Sequence, residues 1–178
     1  MAPLDVRIRV APLDRALADL YPDREPYLFG AIDELEPLRG VAVFAHPEGH
    51  HHYVSIGLRD AGSQVELTFR LATRGDEPAP SWPAQLLAEF ARHALRRRRP
   101  FGSGHYLCLP RAIDPDGLVR CGVLVPDPEL PTGAWLQIVG LHERELRAVS
   151  GDGYLAFLDA LRARGPLFVT SPSRAPLA

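Results

Sequence analysis

Histidines crowd one short stretch, His46 and then His50, His51 and His52, and imidazole is a common ligand for zinc, copper or nickel. On an extended chain His50 and His52 point to the same face, which is the spacing a strand-borne metal site uses. A small metal-dependent hydrolase built on His46, His50 and His52 would need a further ligand and a held water, and no fourth ligand is visible. Pro47-Glu48-Gly49 reads as a surface turn leading into the run. The expectation is therefore no bound metal and no other cofactor.

Other fragments of catalytic motifs stop short. His46-Pro47-Glu48 matches the H-x-E half of the zinc deaminase signature, but Cys108 and Cys121 are too far apart to be its P-C-x-x-C half. Ser103 sits between Gly102 and Gly104, whereas a nucleophile elbow places glycine two residues away on each side, where Phe101 and His105 stand. The same glycines lack the lysine and spacing of a phosphate loop. Arg92 and Arg96 to Arg99 form a basic cluster that reads as the solvated end of a helix. No catalytic residue is assigned.

The elements that would carry these residues follow from apolar spacing. Val6, Ile8 and Val10 alternate as in a half-buried strand, and Leu13, Leu17 and Leu20 recur at helical spacing. Val41 and Val43 beside Phe44 suggest a brief strand. His52, Val54, Ile56 and Leu58 then share one face of a run, and Val65, Leu67, Phe69 and Leu71 share one face of the next. Asp60-Ala61-Gly62-Ser63 supplies the turn between them, which predicts an antiparallel hairpin with one oily side. Gln64, Glu66, Thr68 and Arg70 fall on the opposite side of the second run, available to water, a second layer or a ligand.

Ser81 and Pro83 mark a helix start, and Leu86, Leu87, Phe90, Ala91 and Ala94 form the stripe of a helix over 82–97. Strands are predicted at 106–109, 118–125 and 134–141. The last is apolar on both faces, through Trp135 and Val139 and through Leu136 and Ile138, so it belongs mid-sheet. Trp82 and Trp135 read as core anchors. Helices follow at 143–149 and 154–164, the second with Leu155, Leu158 and Leu161 inward, and a short strand at 167–170 closes the pattern. Irregular interleaving of strands and helices predicts an α+β domain with a mixed, mostly antiparallel sheet and helices packed on it.

With 178 residues, 46% of them hydrophobic, the chain can bury a core as one domain spanning 1–178, with a flexible tail at 171–178. A net charge of −2 supplies no global field for nucleic acid or an anionic membrane. Cys108 and Cys121 each sit in an apolar run and read as buried free thiols. The first residues alternate charge with apolar groups too soon for a signal-peptide core, and no apolar run approaches the roughly 20 residues of a membrane span. A cytoplasmic protein is expected. All the basic residues are arginine and there is no lysine or asparagine, which reads as codon bias of a GC-rich, bacterial genome.

Six motifs in one order carry a family resemblance: Tyr53 with Gly57-Leu58, Glu66-Leu67-Thr68-Phe69-Arg70-Leu71, Ser81-Trp82-Pro83, Asp127-Pro128-Glu129-Leu130, Leu136-Gln137-Ile138-Val139-Gly140-Leu141, and Gly165-Pro166-Leu167-Phe168-Val169-Thr170. The pattern, over about 23–170, resembles the Suppressor-of-fused domain family, although His51 stands where many relatives carry tryptophan. The resemblance implies a binding module and not an enzyme. In animal relatives a transcription-factor peptide is held as an extended strand between two lobes. This chain ends just after the first lobe, so that clamp does not transfer.

Bacterial relatives resemble immunity proteins, which implies neutralisation of a cognate polymorphic toxin, with sequestration of another cytoplasmic partner as the runner-up. The expected partner is a protein, not nucleic acid or membrane. Expected contacts are an exposed strand face of Glu66, Thr68 and Arg70, the strand start His52-Tyr53, and the turns at Asp60 and Asp127. Tyr53 and Arg70 lead that set, because aromatic and arginine side chains dominate binding energy.

Overall fold

In the computed structural model, which describes residues 15–30, 35–73, 77–97, 100–112, 114–115, 119–150 and 153–177, the alternating apolar runs become strands of one sheet. These are β1 (Tyr27–Phe29), β2 (Gly40–His46), β3 (His50–Ile56), β4 (Glu66–Ala72), β5 (Tyr106–Cys108), β6 (Cys121–Pro126) and β7 (Trp135–Leu141). Their order is β1-β2-β3-β4-β7-β6-β5. Every neighbouring pair is antiparallel except β4 with β7. The mixed, mostly antiparallel sheet and the α+β class stand as expected. β1 was not anticipated, and the predicted strand over Val6, Ile8 and Val10 lies outside the described residues.

One face of the sheet is covered by α2 (Trp82–Arg97). The helix starts where Ser81 O accepts from Ala84 N and Gln85 N at 3.0 and 3.4 Å, with Pro83 in the first turn, where no donor is lost. Its stripe of Leu86, Leu87, Phe90 and Ala91 is buried with Val43, Tyr53, Leu67, Phe69, Leu124 and Ile138. The helix approaches closely enough that a Cβ on Gly122 would stand 2.9 Å from Phe90 and 2.6 Å from Ile138. Trp82 is core as read, with its ring edge-on to Phe69 at 5.5 Å.

The opposite face is covered as well, which corrects the hairpin with one oily side. Tyr53 pairs with Phe69 and Val54 with Thr68, and residues paired across strands share a face. The two apolar sets of β3 and β4 therefore lie on opposite sides of the sheet. Val54 packs with Phe44, Trp135 and α1 (Arg15–Leu20), whereas Leu67 and Phe69 pack under α2. Leu58 leaves the Val54 set because Gly57, at φ 92°, reverses the chain before it and delivers Leu58 to the α2 side.

Under β6 and β7, on the α1 side of the sheet, a second apolar cluster joins Val123, Val125 and Val139 to α4 (Tyr154–Arg164) through Phe157, Leu158 and Leu161. Leu155, predicted inward, is 69% exposed, because the helix turns Phe157 to the sheet instead. The segment 143–149 is a 3-10 turn, Glu143–Glu145, running into the single turn α3, Leu146–Val149. The strand predicted at 167–170 reduces to a parallel bridge of Thr170 with Leu71. Phe168, at φ 51°, breaks the extended chain there.

One further expectation is corrected. Cys108 and Cys121 are directly opposed in the β5–β6 register and form a disulfide, so they are not free thiols. In the C-terminal segment Arg174 reaches Glu145 at 2.6 and 2.7 Å and Gly140 O at 3.1 Å. Among the described residues no helix is long and apolar enough to cross a membrane.

Candidate functional site

Between the α1 cluster and the α4 cluster the sheet carries a strip of polar side chains instead of apolar ones. By register, His52 on β3, Thr68 and Arg70 on β4 and Gln137 on β7 all face this way. All four have essentially no exposure. The turn after β6 drops Asp127 onto them, also buried, because the Asp127 carboxylate bends back to accept from Glu129 N and Leu130 N at 3.0 and 3.2 Å. This is the backbone-binding turn expected from an Asp-Pro pair.

Arg70 is the hub. Its two terminal nitrogens meet Asp127 as a fork, Nη1 to Oδ2 at 2.9 Å and Nη2 to Oδ1 at 3.1 Å. Nη1 also donates to Gln137 Oε1, and Nη2 to Glu129 Oε2 at 3.0 Å. Thr68 Oγ1 donates to Asp127 Oδ2 at 2.6 Å. Gln137 then passes the network on, its Nε2 donating to Leu167 O and Phe168 O at 3.0 Å each. A charge this deep persists only when paired and hydrogen-bonded, and here every carboxylate oxygen of Asp127 is engaged.

The histidines adjoin this hub. Tyr21 Oη donates to His52 Nδ1 at 2.7 Å, leaving the His52 Nε2 hydrogen directed at Asp127 Oδ2, 3.5 Å away. Glu48 N donates to His46 Nδ1 at 3.2 Å, so His46 Nε2 carries its proton toward Glu129 Oε2 at 3.2 Å. His50 stacks on His46 with centroids 4.1 Å apart, and its Nε2 has no hydrogen-bond partner among the described residues.

The electrostatics keep His50 and His52 neutral. Burial pushes the His50 pKa down to about 3, with His46 and Arg70 adding repulsion. Burial likewise pushes His52 down to about 4, against the upward pull of Asp127. Burial alone would raise the Asp127 carboxyl. The His52 contact and the Arg70 guanidinium together outweigh it and hold that group well below the usual carboxylate range.

The metal reading finds no support in this geometry. The His46 and His50 rings stack face to face, and all four ring nitrogens of His46 and His52 already serve other bonds or contacts. Among the described residues no group of three or more His, Cys, Asp or Glu is placed to hold a metal. Ser103 bonds Tyr154 Oη at 2.6 Å in the turn before β5, and His105 Nδ1 accepts from Gly102 N in that same turn. Of the basic cluster, Arg92 is tied to Glu36 O and Glu89, and Arg98 and Arg99 lie outside the described residues.

The expected contact residues divide sharply. Glu66, Thr68 and Arg70, taken as an exposed polar face, are buried, which corrects that expectation; His52 and Asp127 are buried with the latter two in the network. Glu66 instead holds the turn after β3, accepting from Ser55 Oγ, Leu58 N and Arg59 N, and burial raises its pKa. Tyr53 faces α2 and donates to Pro80 O at 2.8 Å. Asp60 alone of the seven reaches the surface, 3.2 Å from Arg39. Tyr21, Gln137 and Glu129 belong to the network and were missed. A glutamine inside a strand apolar on both faces was the available signal, since a buried amide needs partners.

An α+β domain with helices on both faces of its sheet, locked at its centre by a buried Arg–Asp fork, is thus the class that fold and site define. Residues 34–175 match the model of the family described as Suppressor of fused protein (SUFU), and the chain belongs to that family. The human Suppressor of fused homolog is 30% identical over 198 residues, covering 87% of this chain and 41% of its own length. The chain therefore spans well under half of that curated relative.

Among solved structures, a chain of a Sufu-Fu complex superposes with a TM-score of 0.76 at 24% identity, covering 90% of this chain and 88% of that one. A SUFU homolog from Neisseria gonorrhoeae superposes at 0.70 with 12% identity, covering 91% and 92%. These likenesses establish the shared fold.

Proposed function

We propose that this domain is a non-catalytic protein-binding module that acts by stoichiometric capture of one partner. The observation that carries the reading is the fate of the family motif residues. Arg70, Thr68, Gln137 and Asp127 are spent on one another inside the sheet and present no reactive group to a substrate. They act on function by fixing the sheet and the Asp127–Leu130 turn, and binding falls to the surface around them. A relative of the same fold has been solved in complex with Fu, which supports protein binding as the shared trade of the fold.

The finer role we propose is that of an immunity protein neutralising a cognate toxin, a reading that rests on resemblance to bacterial family members. Sequestration of a regulatory partner is the second reading, favoured by the Sufu-Fu complex. Of the contacts named from sequence, Asp60 remains a direct candidate, while Tyr53 and Arg70 act through the fold. The test is affinity capture from the producing cell, identification of the captured protein, and reconstitution from purified components. A single protein bound at one equivalent supports the reading; a domain that binds no protein and turns over a small molecule ends it.

A further inference from the structure

A cleft of about 970 Å3 opens between the described ends of the β5–β6 connection (110–112 and Arg120), the turn after β7 and Pro176 of the C-terminal segment. Arg111 and Arg120 come from the first, Arg144 and Arg147 from the second, and Glu143 is the one acidic side chain among the described lining residues. On a chain of net charge −2, four guanidinium groups against one carboxylate invert the local sign. Glu145 does not offset them. It is buried, and its carboxylate is committed to Arg174 at 2.6 and 2.7 Å and to the backbone N–H groups of His142 and Leu177.

The cleft is built. The Glu145–Arg174 pair pins the C-terminal segment so that Pro176 forms one wall. The Cys108–Cys121 disulfide and the bond from Arg120 Nε to Leu109 O, 2.9 Å, fix both ends of the β5–β6 connection. By contrast Arg111, Arg144 and Arg147 are exposed, and no ion pair or hydrogen bond engages their guanidinium groups among the described residues. Arginine forks held at the rim of a fixed cleft, and not used by the protein itself, suit bidentate recognition of anionic oxygens.

We propose that this cleft docks an acidic segment, rich in aspartate and glutamate, of the protein's partner; the proposal rests on the protein-binding reading above and names its surface. The volume takes several residues of extended chain and is far larger than a lone anion needs. Nucleic acid is disfavoured because no Phe, Tyr or Trp ring lines the described cleft to stack a base, His142 being the one aromatic side chain among its described lining residues, and because the net negative charge repels a long polyanion.

The probe is a short fluorescein-labelled oligoglutamate peptide, read by anisotropy on the intact chain. Saturable binding is expected, weakened about tenfold or more by the paired substitution R144E/R147E, as two exposed ion contacts turned repulsive would give. The control R15E, at an exposed position of α1, leaves it unchanged, and circular dichroism melts show that both variants are folded. Absent binding, or binding equal in R144E/R147E, overturns the proposal. So does tighter binding of a single-stranded DNA oligomer than of oligoglutamate, or displacement of the peptide by low millimolar inorganic phosphate. If oligoglutamate fails while the natural partner still binds at one equivalent, the cleft assignment falls and the protein-binding reading stands.

Discussion

Arg70 and Asp127, fifty-seven positions apart in sequence, meet in a two-pronged ion pair with both side chains wholly removed from solvent. The pair joins the middle strand β4 to the turn between β6 and β7, across the one parallel contact in the sheet. Its geometry makes it a device for register. β4 and β7 cannot slip by a residue without parting Arg70 from Asp127 and Gln137.

That relationship sets the first expected outcome. Arg70→Met or Asp127→Ala strands one buried charge, and each is expected to cost on the order of 3–5 kcal/mol in denaturant melts. The double substitution is expected to cost clearly less than the sum of the two, because neither charge is then left alone. Additive losses in that cycle would show that the two side chains do not depend on each other.

The buried histidines give a pH dependence whose sign can be worked out. His52 and His50 have pKa values lowered from 6.5 to about 4 and about 3. The unfolded chain therefore takes up protons before the folded one as pH falls. Stability is full above about pH 6.5 and declines through the window down to about pH 4 and then 3. From about pH 3.8 downward Asp127 adds to the loss, because its carboxyl is held low when folded and the unfolded chain takes up that proton first. Melting temperature measured across this range is expected to fall with acid, and less steeply between pH 6.5 and 4 in a folded His52→Gln variant. A slope unchanged by that substitution would contradict the placement of His52.

Thiol chemistry tests the β5–β6 pairing. Protein unfolded in denaturant without reductant is expected to show no free thiol, and two after reduction. With a sequence separation of 13, losing the cross-link is expected to cost about 3 kcal/mol on the loop-entropy model. Two titratable thiols in the untreated protein would mean that Cys108 and Cys121 are unjoined.

Local pattern carried much of the fold. The bounds of α2 and α4 were legible because a stripe at helical spacing, a proline at the start or a glycine at the end are all local signals. The central place of β7 followed from its apolar residues on both faces, and all its residues are buried. What escaped was non-local. Tyr53 and Val54 are both apolar, so either alternation could have faced Leu67, and pairing across the hairpin chose Tyr53.

The centre of the site was hidden for the same reason. Thr68 and Arg70 look like a wet strand face until Asp127, Gln137 and His52 arrive from three other segments to satisfy them. The disulfide likewise depends on which residues β5 and β6 place opposite one another, which spacing alone does not reveal. Asp60, in a turn read from its own residues, is where expectation and surface agree.

Titration of the captured partner with purified protein tests the central claim most directly, following loss of the partner's own activity against equivalents added. A binding module predicts a linear fall that ends at one equivalent and does not deepen with time. Inactivation by a small fraction of an equivalent, progressing with incubation, would reveal turnover and contradict the account.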